Sequence, residues 1–514
     1  MFSLIRSSSV HGVEGKRISV EVDISSGLPQ VNVVGLPDPA VRESVERVRA
    51  AIKNSGFVFP LDRITVNLAP ADLRKEGTAF DLAFAAGVLT ASGQIDGKPF
   101  EDVMLIGELS LNGQLRPVPG VLSMVEEAKL SGIRKVLLPI ANVKEAEWIA
   151  GMELYALTHL NELRDRRNWE HLRWDTGNDR PATDDEDLLS FIPSCGDYSD
   201  VIGQAQAKRA LLIAAAGRHN VLFSGPPGTG KTMMIRRLPG ILPPLAEEEA
   251  LEVTKIYSAA GKLSTDAQGL IRIPPFRSPH HTISAGGLVG GGSVPKPGEV
   301  TLAHRGVLYL DEFPEFSRQV LEVLRQPLED GIVTIARSKA VFHFPAELML
   351  AVSYNPCPCG YAGHETNDKR CTCTDKTIAR YRSRLSGPLL DRIDIQLEVP
   401  RPLEATCNDT HEDKLTSAQM RELVLAARTR AQQRNKEQGI HPNRRLTGIP
   451  LRRSILLRRD AAGLLDHALD ALGISMRTHD RIVRLSRTIA DVCGCEQIEA
   501  EHVAEAIQYR GLNY

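Results

Sequence analysis

The hydrophobic positions of this 514-residue chain fall into three successive patterns. Up to about residue 163, apolar runs at 18–24, 30–34, 64–68, 103–107 and 135–138 read as strands. Stretches with helical spacing lie between them at 39–55, 81–92 and 121–131, so this part predicts an α/β or α+β domain. Residues 175–187 then turn acidic, lose their apolar positions and carry Pro and Gly, which predicts an interdomain linker. From about 198 to 400 strands and helices alternate again. Beyond about 416 the pattern is almost wholly helical, at 416–438, 459–472, 478–493 and 500–509. The domain boundaries expected are 1–165, a linker at 166–195, an α/β core at 196–400 and a helical portion at 401–514, with no internal repeat.

Bulk properties narrow this little. The length suggests roughly three domains with room for sizeable cores. A formal charge of −2 gives no global argument for nucleic acid or membrane, so any nucleic-acid site must be local. No apolar run approaches a bilayer span and the N-terminus lacks a signal-peptide core, which points to a cytoplasmic protein. In that compartment the eight cysteines are not expected to form a disulfide framework.

The chemistry begins at residues 225–232, Gly-Pro-Pro-Gly-Thr-Gly-Lys-Thr, which fit G-x-x-x-x-G-K-[ST] at every fixed position. Residues 220–224 read as a buried strand entering this turn and 233–238 as the helix leaving it. A glycine-rich turn in that setting aims backbone N–H groups inward and makes an anion cradle. Gly225, Pro226, Pro227, Gly228, Thr229 and Gly230 would form it, Lys231 would reach the β- and γ-phosphates, and Thr232 would ligate Mg²⁺. The chain is therefore expected to bind a nucleoside triphosphate. Further on, 306–310 read as a buried strand ending on Asp311 and Glu312, at the strand end where parallel sheets place ligands. Asp311 would hold Mg²⁺ and Glu312 would polarise the attacking water as general base. A third strand at 348–353 ends near Asn355, which can orient that water or contact the γ-phosphate, and can equally be a turn residue before Pro356.

Cys357 and Cys359, then Cys371 and Cys373, form two C-x-C pairs separated by eleven residues. Four thiolates so arranged match a tetrahedral structural Zn²⁺ site, with four reduced thiols or a redox pair as the alternatives. Cys493 and Cys495 repeat the spacing without a second pair and are assigned no metal, and Cys195 and Cys407 carry no signal.

The order of phosphate loop, Leu-Asp-Glu strand and polar strand end resembles the AAA+ ATPases. Pro275-Phe-Arg-Ser-Pro-His-His281, the glycine-rich 286–292, Pro295-Lys-Pro-Gly-Glu299 and Asn355-Pro-Cys-Pro-Cys-Gly360 narrow the resemblance to the magnesium-chelatase-like group. The three-part layout is similar to the ComM/YifB family of that group over essentially the whole chain. The resemblance implies ATP and Mg²⁺ as cofactors and a closed homo-hexameric ring. It implies that Arg392 is an arginine finger acting across a subunit boundary, against an intrachain ion pair with Asp391 or Asp394. It makes Arg477 a second sensing arginine in a C-terminal lid, with Arg481 its nearest rival. Residues 332–344, read as two strands around a basic tip, would project into the ring's pore. There Arg337 and Lys339 would contact DNA phosphates, beside a second loop at 286–292.

The first domain carries a further resemblance. Glu76-Gly-Thr-Ala79-Phe, with Gly107-Glu-Leu-Ser-Leu-Asn-Gly113 through Gly120 to Gly132, is similar to the Lon-type protease domain. Its serine position reads as Ala79 and its lysine position as Met124, neither of which can attack or accept a proton. A Lon-like fold without peptidase activity follows.

The function implied is an ATP-driven DNA helicase promoting branch migration and heteroduplex extension in natural transformation. Single-stranded and branched DNA and recombination proteins would be its partners, and no membrane is expected. A chelatase-like metal-insertion ATPase and an ATP-dependent Lon-like protease are the competing readings.

Overall fold

The chain folds into two units, Met1–Ala182 with Glu247–Ile271 and Thr183–Ala246 with Arg272–Tyr514. Residues 247–271, assigned from sequence to the 196–400 segment, thus belong with the first unit. The computed structural model describes residues 1–73, 75, 77–164, 169–175, 196–263, 269–292, 295–337, 340–365, 369–401, 415–435, 451, 456–472 and 476–510. Most of the expected linker, together with Lys339, Glu76, Cys195 and Cys407, lies outside the described residues. Among the described residues no helix is long and apolar enough to cross a membrane.

The fold is α/β, as expected. The first unit is built on a seven-stranded mixed sheet. Its order is Gln30–Val34, Arg63–Ala69, Glu14–Ser25, Phe2–His11, Val103–Leu105, Lys135–Pro139, Glu153–Leu157. The strands Phe2–His11 and Glu153–Leu157 add to those read from the sequence. Phe2–His11 was hidden by its serines, which are buried, three of them (Ser3, Ser7 and Ser8) donating to backbone carbonyls. Ser3 Oγ donates to the Gly87 carbonyl and Ser7 Oγ to the Leu105 carbonyl, each at 2.8 Å. Such bonds remove the cost of burying a hydroxyl. Helix Asp81–Ala91 is buried at all but one position, apolar on every side, and so occupies the interior rather than a surface. Helix Pro39–Asn54 packs beside it through Val48, Ala51 and Ile52. Helix Glu247–Ala259 packs on Val121–Leu130 and is tied there by the Lys255–Glu126 ion pair and a hydrogen bond from Ser258 to Glu145.

The second unit is built on a five-stranded sheet ordered Phe276–Arg277, Val307–Leu310, Met349–Tyr354, Val221–Ser224, Ile395–Glu398. Every neighbouring pair is parallel. Val221–Ser224, Val307–Leu310 and Met349–Tyr354 are buried at each residue, as the continuous apolar runs of a sheet covered on both faces must be. Helices Ala205–Gly217, Ser417–Asn435 and Met476–Cys493 cover it, sharing one core with the strands. The register aligns Ser224 with Tyr354 and Leu310 with Val352, so Gly225, Asp311 and Asn355 emerge together at the carboxyl edge.

Candidate nucleotide site

The turn after Val221–Ser224 is shaped by backbone proximity. A Cβ on Gly225, at φ 149°, would lie 2.3 Å from the Val399 carbonyl oxygen, so no larger residue fits. Helix Lys231–Arg236 opens on Lys231 itself, two residues before the sequence pattern indicates, and so points its N-terminal N–H groups at the cradle. Lys231 is buried, its Nζ donating to the carbonyls of Gly225 at 2.7 Å and Pro226 at 2.8 Å and to Asn355 Oδ1 at 3.3 Å. Burial pulls its ammonium down to about 8, against the pull of the Asp311 carboxylate. The cation is thus held over the cradle with only neutral dipoles as direct partners.

Asp311 is fixed by a hydroxyl relay. Thr232 Oγ1 donates to Asp311 Oδ2 at 3.0 Å and Ser353 Oγ donates to Oδ1. Ser353 in turn accepts from the Tyr309 hydroxyl at 2.8 Å. Burial pushes the Tyr309 hydroxyl above its ordinary range, so it stays a donor. A hard dication takes oxygen ligands, and Thr232 with Asp311 offers a hydroxyl and a carboxylate side by side. The residues therefore fit the ATP and Mg²⁺ that the resemblance implies. Ser353 and Tyr309 were not singled out from sequence; their alternation on neighbouring buried strands is the signal that would have found them.

Glu312 stands next to Asp311 with φ 51°, an unusual conformation for a residue with a side chain. Its carboxylate meets His281 Nδ1 at 3.3 Å, and His281 is packed against His280 at 4.1 Å between ring centres. The sequence shows His281 only as a motif position; its pairing with the candidate base emerges from the fold.

Arg392 and Arg477 lie elsewhere. Asn220 Nδ2 donates to the Arg392 carbonyl at 2.7 Å, which puts Arg392 at the amino end of the strands. The four-residue strands separate that end from the cradle by roughly 13 Å. Arg392, Arg477, Arg481 and Arg484 line one 440 Å³ cavity there with Asp394 and Glu329. Arg392 pairs with Glu329, a partner not foreseen from sequence, and its Nε is buried with no hydrogen-bond partner among the described residues. Burial, then the neighbouring arginines, lowers its pKa. Arg481 takes the ion pair with Asp394, at 3.3 Å. Burial alone would raise the Asp394 carboxyl, but the His219 hydrogen bond at 3.3 Å and the charges of Arg481 and Arg484 hold it well below the carboxylate range. Neither Arg392 nor Arg477 faces the phosphate loop of its own chain.

Strands Ile332–Arg337 and Ala340–Pro345 form the expected hairpin, with Phe342 and Phe344 stacked 6.5 Å apart. Arg337, exposed at its tip, donates Nη2 to the Gly292 carbonyl at 3.0 Å, so the hairpin and the glycine-rich loop are neighbours. In the first unit Ala79 and Met124 are buried in one apolar cluster with Met104, Ile106 and Val118. Thr78, the nearby hydroxyl, donates to Glu108.

Comparison with known proteins shows the family. Family models described as "Magnesium chelatase, subunit ChlI", "Subunit ChlI of Mg-chelatase" and "Magnesium chelatase, subunit ChlI C-terminal" match residues 197–407, 20–142 and 414–510. The chain is 42% identical over 512 residues to the competence protein ComM of Haemophilus influenzae, covering 99% of this chain and 97% of that one. It is 41% identical over 511 residues to the YifB protein of Salmonella typhimurium, covering 99% and 97%. A shorter match of 26% identity over 181 residues, 32% of each chain, is to Lon protease 2 of Bacillus subtilis.

Proposed function

This chain belongs to the ComM/YifB family of magnesium-chelatase-like AAA+ proteins, and on that premise we propose that it is an ATP-driven ring motor that migrates DNA branches. ATP with Mg²⁺ would supply the phosphoanhydride and neutralise its oxygens. Lys231 would bind the terminal phosphates, and Thr232 with Asp311 would hold the metal. Glu312 accepts the proton of the attacking water once released from His281, and Asn355 orients that water. Arg392 and Arg477 of an adjacent copy complete the site, stabilising charge on the transferred group.

The observation that carries this reading is the separation of the two arginines from their own cradle by the length of the sheet. A triphosphate at Lys231 meets them only from another subunit, which argues for a heterologous contact between copies; the closed ring of six is what the family resemblance implies. Arg337 beside the glycine loop places a cation on an exposed hairpin where a phosphate backbone can be tracked, and Lys339 is taken to act with it. The name of the Haemophilus relative, a competence protein, supports natural transformation as the setting. In that setting the motor would extend heteroduplex on single-stranded and branched DNA.

The test is ATP hydrolysis with and without forked and three-stranded DNA. Stimulation by DNA and movement of the branch are expected. Glu312→Gln is expected to lower turnover by about 10²–10⁴ while ATP stays bound. Hydrolysis indifferent to every DNA structure, with none remodelled, would refute the motor.

A further inference from the structure

We propose that Cys357, Cys359, Cys371 and Cys373 bind one Zn²⁺, and that this ion sets the position of Asn355 at the phosphate loop. The four sulfurs lie within 4.8 Å of one another. Cys357 Sγ is 3.3 Å from Cys359 Sγ and 3.8 Å from Cys371 Sγ, and Cys359 Sγ is 3.5 Å from Cys371 Sγ. Four sulfurs each about 2.3 Å from a central ion stand ~3.8 Å apart in a tetrahedron, so one Zn²⁺ fits among them. All four are free thiols, too far apart to be disulfides. The tight C-x-C spacing is made workable by a turn. The Gly360 N–H donates to the Cys357 carbonyl at 3.0 Å, and the Ala362 N–H points at Cys357 Sγ at 3.4 Å. Backbone donors of this kind support thiolate ligands.

The cluster is wired to the nucleotide site. Cys357 follows Asn355 by two residues, and the loop it closes is packed on the cradle. A Cβ on Gly360 would come within 2.7 Å of Pro227 Cδ and 3.9 Å of Asn355 Cβ, so the turn fits only without a side chain. His364 Nε2 reaches Glu398 Oε1 at 2.8 Å, on the strand beside Val221–Ser224. Arg382 Nε donates to the Pro356 carbonyl at 3.3 Å. The stretch between the pairs is polar in sequence, so a metal would be the force that fixes the two C-x-C turns. A fixed loop keeps Asn355 Oδ1 at 3.3 Å from Lys231 Nζ. Asn355 would thus be positioned through the loop that Cys357 closes two residues further on. This inference rests on reading 225–232 as the phosphate cradle, and not on DNA.

Elemental analysis of the full-length protein is expected to give one zinc per chain, released when four thiols react with a mercurial. Cys371→Ser with Cys373→Ser is expected to lose the zinc and to lower ATP turnover without DNA by about 10- to 100-fold. Binding of a fluorescent ATP analogue should persist, and Cys493→Ser should keep both metal and turnover. Because the double variant can unfold, the same turnover is measured on wild-type protein stripped with the mercurial and thiol, always with Mg²⁺ and ATP present, before and after Zn²⁺ is added back. Recovery only where Zn²⁺ is added is expected. Metal-free or iron-bearing protein, unchanged turnover after stripping, or no recovery with Zn²⁺ would each overturn the proposal. Zinc-dependent hydrolysis indifferent to DNA would support it while refuting the motor.

Discussion

Lys231 carries a charge that the fold makes costly, and this has a measurable sign. With the ammonium pulled down to about 8 by burial, a large share of Lys231 is neutral above that pH. A bound triphosphate favours the charged form, so binding takes up protons near pH 8 and affinity falls as pH rises from about 7 to 9. Calorimetry in buffers of different ionisation enthalpy reads that uptake directly. Binding with no proton exchange across this window would mean that Lys231 stays charged throughout. Beside it, the relay Tyr309–Ser353–Asp311–Thr232 shows how two strands and a helix converge on one carboxylate. The sequence displays Asp311 and Thr232 as motif positions, whereas the serine and tyrosine acquire their roles only when the strands pair.

Helix Met476–Cys493 is anchored to the sheet by the same kind of buried electrostatics. Asp394 holds His219, Arg481 and the backbone N–H of Asn220, each at 3.3 Å. Removing the carboxylate leaves buried donors unpaired, so Asp394→Ala is expected to cost about 3–5 kcal/mol of stability by denaturant unfolding. Its folded pKa lies below the ordinary 3.8, so the contribution is present above that value and lost as pH falls below it. A loss under about 1 kcal/mol would contradict the network's importance. The hairpin Ile332–Arg337 and Ala340–Pro345 makes a separate prediction. Arg337→Ala is expected to weaken single-stranded DNA binding and to flatten its dependence on salt, because phosphate contacts release counterions. An unchanged salt slope would remove Arg337 from the DNA path.

Much of this was legible at the level of elements. Unbroken apolar runs bounded by Gly or acid revealed Val221–Ser224, Val307–Leu310 and Met349–Tyr354 within a residue at each end. Phe2–His11 was not legible, since four buried serines read as polar until the carbonyl partners of three of them are known. Nor was the assignment of Glu247–Ala259 to the first unit, which depends on contacts far along the chain.

At the scale of the whole molecule the arrangement of charge argues for assembly. Each chain presents a cradle at one end of its sheet and Arg392 with Arg477 at the other. The family resemblance named these arginines but could not place them, because distance along the chain says nothing of which end of a sheet a loop occupies. The most direct measurement mixes two dead proteins, Lys231→Ala and Arg392→Ala, and follows ATP hydrolysis. If one copy supplies the cradle and the next its arginine, random mixing makes roughly one interface in four complete, and activity returns where each alone has none. Full activity of Arg392→Ala by itself, or a mixture as inert as its parts, would contradict a shared site.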